Sequence, residues 1–278
     1  MVRSLVYESP TGGSVDLYSE DLWVGSPVDL RSRQYSYSLG FRRLSGVVRP
    51  AREVKLTALC RDPALLDAAR GVFDADVTAN LPGMLVVNGE WSQRCLFVRS
   101  ETDMGNPVVQ RVEFTVVLLD GAWSRPMSAS YVPSVVLAGS GLDLPHDLPY
   151  DLTPLSLSAD LRVESPIPVP VRLIIYGPAT SPYVIIGGNR YEFDVTIPSG
   201  GYLTADGREG RKTITLTTGT GVVTNEFASG VRGGGEGSGE YCFEKLSGGL
   251  LPVSWSNSFG FDVTYWMQES ELPWSTLQ

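Results

Sequence analysis

Arg52-Glu53-Val54-Lys55-Leu56-Thr57-Ala58-Leu59 alternates apolar with polar side chains. Successive side chains of an extended strand point to opposite faces, so this period of two puts Val54, Leu56 and Ala58 on a buried face and leaves the other face wet. A helix signal follows at once. Asp62 is placed to cap it, Pro63 falls at the first helical position where a missing N–H costs nothing, and Leu65, Leu66, Ala69, Val72 and Phe73 mark one face at helical spacing.

Outward from this pair of elements the chain reads as short strands and turns. Residues 5–8, 15–18 and 35–39 precede it. Residues 84–87 and 91–98 follow, joined at Asn88-Gly89, a dipeptide that accepts positive φ and closes a tight hairpin. The longest strand candidate, 108–119, ends at Asp120-Gly121. With Val109, Val112, Phe114, Val116, Val117 and Leu119 it offers more apolar surface than one face of a small barrel needs, so part of it is expected at a subunit boundary, Val116 among the outward members. Between 131 and 170 lie seven prolines, Pro133 to Pro170, which restrict the backbone to extended segments, edges and turns. Beyond them 171–176, 183–186, 190–197, 212–217, 241–245 and 259–266 recur at sandwich-like spacing. The expected fold is therefore all-β with one short helix, divided into domains at 1–130 and 131–278, the second a linker followed by a β-sandwich.

A chain of 278 residues with 42% hydrophobic and 19% charged side chains has the apolar surface for real cores. Its net charge of −9 opposes an electrostatic grip on nucleic acid. No run approaches the length of a membrane-spanning helix, and the start meets Glu8 and Pro10 before a signal-peptide core can build, so the chain is expected to be cytosolic when made, without membrane insertion. Cys60, Cys95 and Cys242 lack metal-ligand spacing and read as buried free thiols.

Chemistry is hard to find. The sole histidine, His146, has no second His or Cys nearby, and no Gly-x-Ser-x-Gly elbow is present; Gly139-Ser140-Gly141 is too short for one. The loop at 233–239 lacks the Gly-Lys-Ser/Thr ending of a phosphate cradle and holds Glu236; it reads as mobile. Asp143 with Asp147, or Glu269 with Glu271, are neighbours in sequence, which is not the geometry of a glycosidase pair. No catalytic, cofactor or metal residue is assigned. Trp255, Phe259, Phe261, Tyr265, Trp266 and Trp274 crowd the end, where Phe259, Phe261 and Val263 have strand spacing and read as core, while Trp274 reads as a docking residue.

One stretch is more specific: Ile167-Pro168-Val169-Pro170-Val171-Arg172-Leu173-Ile174-Ile175-Tyr176-Gly177-Pro178-Ala179, then Ser181-Pro182-Tyr183-Val184-Ile185 and Gly188-Asn189-Arg190-Tyr191. It resembles the phage distal tail protein family, in which a strand ending in a Gly-Pro-Ala turn is followed by an x-Pro strand and a Gly-x-x-Tyr hairpin. Gly201 to Asp206 with Arg211 to Ile214, Asn225 with Phe227, Phe243 to Leu246, Val253 to Trp255, and Phe259 to Trp274 resemble later pieces of the family in its order. The resemblance implies a ring-forming β-barrel-like first domain and a galectin-like second one. It implies a structural, non-enzymatic virion protein: a homohexameric ring at the distal end of a long non-contractile siphophage tail. Such a ring joins the tail tube protein to a tail-tip hub or tail-associated protein of the baseplate, and the wider partners are the tape measure protein and receptor-binding proteins. The competing expectation is a carbohydrate-binding module for host envelope glycans, although the galectin pattern His-x-Asn-x-Arg is missing from the sequence.

Overall fold

In the computed structural model, the residues described are 3–25, 28–103, 108–133 and 159–272. The chain divides into two compact units, Met1–Arg125 with Gln268–Gln278, and Pro126–Met267. Strands dominate both, and the one α-helix runs from Pro63 to Ala79, seventeen residues and so longer than expected.

In the first unit an antiparallel sheet runs in the order Leu22–Val24, Arg52–Cys60, Gln110–Leu118, Trp91–Asp103, Gly83–Val87, Leu5–Glu8, Ser14–Asp16. Its two ends approach, since Val24 N–H donates to Leu17 O at 2.8 Å and Tyr18 bridges Trp23. The opening strand behaves as its alternation dictates: Val54, Leu56 and Ala58 are buried and Lys55 is exposed, paired with Glu113 across the sheet. Asp62 caps the helix by accepting from Ala64 N–H at 2.9 Å, and Asn80, at φ 51°, ends it in the left-handed region. Leu66, Ala69 and Phe73 face inward, where Phe73 stacks on Phe97 at 4.1 Å and meets Tyr7 and Phe114 edge-on. At Asn88-Gly89 both residues adopt positive φ, as the turn requires, and Asn88 Oδ1 accepts from the Arg3 and Ser4 amides.

The long strand corrects one expectation. Gln110–Leu118 is hydrogen-bonded on both sides, and Val112, Phe114, Val116 and Leu118 are all buried in the core. Its outward residues are Glu113, Thr115 and Val117. Val116 is therefore a core residue and not an outward one, because the phase of the alternation is set by Phe114 seeking the aromatic cluster.

The second unit is a sandwich. One antiparallel sheet has the order Val223–Asn225, Thr213–Thr217, Tyr202–Asp206, Val171–Tyr176, Phe261–Glu269, Trp123–Tyr131, and the opposing one Ala159–Val163, Gly249–Trp255, Tyr183–Ile186, Asn189–Glu192. Leu173, Ile175, Leu203, Ile214 and Val263 from the first meet Leu161, Val184, Ile186, Tyr191 and Val253 from the second in one core. Tyr131 stacks on Phe261 at 4.8 Å within it. Residues 241–245, expected as a strand, instead form turns whose backbone is held by the Asn189 side chain: its amide donates to Tyr241 O and its carbonyl accepts from Tyr241 N–H.

Candidate interaction surface

The sequence-level candidates for chemistry do not converge. His146, Asp143, Asp147, Gly139 to Gly141 and Trp274 lie outside the described residues. Among the described residues no group of His, Cys, Asp and Glu is arranged to hold a metal ion. Cys60, Cys95 and Cys242 are free and buried, as expected, and burial raises each thiol above its ordinary range. Phe259, Phe261, Val263 and Tyr265 are core, and Trp255 Nε1 donates to Phe259 O at 3.0 Å. The glycine-rich loop is tied by Gly235 N–H to Arg232 O, Gly237 N–H to a Glu244 carboxylate oxygen at 2.7 Å, and Arg190 N–H to Gly239 O.

What the first unit does present is a protruding hairpin. Strands Ser36–Gly40 and Arg43–Val48 pair only with each other among the described strands, closing through Phe41-Arg42 with Arg42 at φ 59°. Every residue of both strands is exposed. Leu39 is 79% exposed, Phe41 89%, and Tyr37, Leu44, Val47 and Val48 about half. A two-stranded hairpin is marginal in water by itself, and contiguous exposed apolar surface marks a contact site more often than a free one.

Its base is fixed. Tyr35 lies under the Arg49 guanidinium at 5.9 Å, and the nearby Ser270 hydroxyl first, then Arg49, lower the phenol's pKa. At Gly121, φ 63°, an added Cβ would come within 2.7 Å of Arg49 Cβ and carbonyl oxygen, so only glycine lets the chain pass there.

The electrostatics are as uneven as the polarity. From Arg31 to Arg52 the sequence has six arginines and no acidic residue, so with a total of −9 the remainder of the chain holds −15. Arg42 and Arg43 lie on the hairpin itself, whereas Arg31, Arg33, Arg49 and Arg52 flank it in sequence. The sequence shows its first strand as 35–39 but not its return, for which Leu44, Val47 and Val48 are the available signal.

No family model matches the sequence, and no curated protein does either. Solved structures do. The Dit protein of phage SPP1, a hub of the adsorption apparatus in phages infecting Gram-positive bacteria, aligns with a TM-score of 0.58 at 8% identity over 96% of this chain and 98% of its own. A chain of the phage P2 baseplate in its activated conformation aligns at 0.61 with 11% identity in the calcium form and at 0.62 with 10% identity in the strontium form; each alignment covers 98% of this chain and all of the other. The chain has the fold of these hub and baseplate proteins from end to end.

Proposed function

We propose that the chain is a structural, non-enzymatic phage tail protein that forms a hexameric ring at the distal end of a long non-contractile tail. In the virion it joins the tail tube protein to the tail-tip hub or tail-associated protein of the baseplate, with the tape measure and receptor-binding proteins as neighbours. The likeness to hub and baseplate structures over the whole length supports the class of function. The observation that carries the reading is the hairpin, because its apolar residues are stable in water only when a partner covers them. The first unit is the ring-forming part in this proposal, and the second projects a sandwich. None of the described helices is long and apolar enough to cross a membrane.

Light scattering coupled to sizing tests it. The full chain at tens of micromolar is expected at a sixfold mass, and the double variant Phe41→Asp, Leu44→Asp at a smaller mass with an unchanged circular dichroism spectrum. A monomeric wild-type chain overturns the ring, and a hexameric double variant removes the hairpin from it.

A further inference from the structure

The outward face of the second unit's larger sheet is an ordered grid. Strand register aligns Tyr176 with Tyr202, Thr217 and Val223 in one row, and Asp262 with Ile174, Thr204, Thr215 and Asn225 in the next. Tyr176 is 41% exposed and Tyr202 38%, with ring centroids 6.5 Å apart and planes tilted by 58°, so each ring offers its own face. Tyr176 Oη donates to Asp262 Oδ2 at 2.6 Å, which fixes the carboxylate and leaves Oδ1 to accept from elsewhere. Beyond Tyr176 the chain turns away sharply: a Cβ on Gly177 would sit 2.1 Å from Pro198 O, so the strand end cannot be roofed by a side chain there.

These two rows hold two aromatic rings, two aliphatic side chains (Ile174 and Val223), three threonine hydroxyls, one amide and one carboxylate, and no cation. The basic residues of the face stand a row further on, where Arg208 forks onto Asp206 and Arg172 and Arg208 lie over Trp266 at 5.5 and 4.4 Å. A phosphate or a uronic acid beside Asp262 would meet a negative charge with nothing to offset it. A flat apolar ring face bearing several neutral hydroxyls matches instead: stacking on the Tyr202 ring, hydroxyl donors to the carboxylate, and exchange of hydrogen bonds with Thr204, Thr215 and Asn225.

We propose that the Tyr176, Tyr202 and Asp262 face binds a neutral oligosaccharide, with the Tyr202 ring as stacking surface and Asp262, held by Tyr176, as hydroxyl acceptor. The site does not depend on ring formation. The test probes the full chain against immobilised neutral and acidic oligosaccharides, followed by titration of retained glycans. At least one neutral glycan is expected to be retained, with affinity falling at least about tenfold in Tyr202→Ala and in Asp262→Asn, and unchanged in Tyr183→Ala on the opposing sheet. The amide oxygen that Asp262→Asn introduces can still accept from Tyr176 Oη, so that variant keeps the fold, and circular dichroism checks both. Retention of no neutral glycan, a preference for acidic ones, or undiminished binding by the two face variants overturns the proposal. The sizing experiment reads ring formation separately.

Discussion

At the scale of single residues, Asp76 is the most informative. It is fully buried on the helix and accepts from Tyr7 Oη at 2.6 Å and Ser9 Oγ at 2.9 Å, tying the first strand to the helix. Burial first, then the Asp76 hydrogen bond and charge, pushes the Tyr7 phenol far above its ordinary range. Asp76→Ala removes the partner of the buried Tyr7 hydroxyl and one of the partners of Ser9 Oγ, which keeps Thr11, and is expected to cost about 2–4 kcal/mol in urea unfolding, against about 1–2 kcal/mol for Tyr7→Phe. Tyr176 gives a pH test. Its phenol is pushed up to about 12, chiefly by the hydrogen bond to Asp262. The protonated phenol is the favoured form, so the stabilisation is whole below the ordinary tyrosine value near 10 and is lost as pH rises through about 12. A 295 nm difference titration of wild type against Tyr176→Phe is expected to show that late transition, and Asp262→Asn to bring it down. The buried thiols are expected to react slowly with a thiol reagent at pH 8, and all three at once in denaturant.

Among elements, Gln110–Leu118 separates core from contact surface. Val116→Asp places a charge among Phe114, Leu118 and their neighbours, and is expected to destabilise the chain by about 4 kcal/mol or more. Val117→Asp, on the outward face, is expected to change it by less than about 1 kcal/mol. Thermal or urea unfolding of the two variants decides. The strand and its phase were both legible in Val112-Glu113-Phe114-Thr115-Val116, where polar Glu113 and Thr115 mark the outward face; only the apolar run Val116-Val117-Leu118 blurs the phase at its end. The helix was readable from Asp62-Pro63 and its apolar spacing. The exposed hairpin was half legible: its apolar residues look like core in a sequence, yet among the described residues they are exposed. The tyrosine and aspartate face escaped detection because Tyr176, Tyr202 and Asp262 are far apart in sequence and meet only through strand register.

For the whole molecule, the uneven distribution of charge along the chain bears on the proposed assembly. Six arginines fall between Arg31 and Arg52 and the remainder of the chain carries −15, so in the proposed ring contact between the basic segment and another part of a second copy is electrostatically favoured over contact between two basic segments. Assembly is expected to weaken as salt rises from about 50 to about 500 mM, where the screening length falls below about 5 Å; an unchanged mass distribution across that range would leave apolar burial as the dominant force. The division of the chain carries a different consequence. The first unit is built from both ends of the polypeptide, and the second is contained between Arg125 and Gln268. The strands that lead into and out of it, Trp123–Tyr131 and Phe261–Glu269, are sheet neighbours, with Ser128 and Thr264 hydroxyls 3.1 Å apart. Two chain crossings side by side make the sandwich a cassette: a short glycine-serine link from Arg125 to Gln268 is expected to leave a folded remainder that still assembles, and a foreign domain with neighbouring termini to be accepted in its place. A lineage built this way can replace the whole sandwich by exchanging one contiguous block of coding sequence, without touching the residues of the first unit.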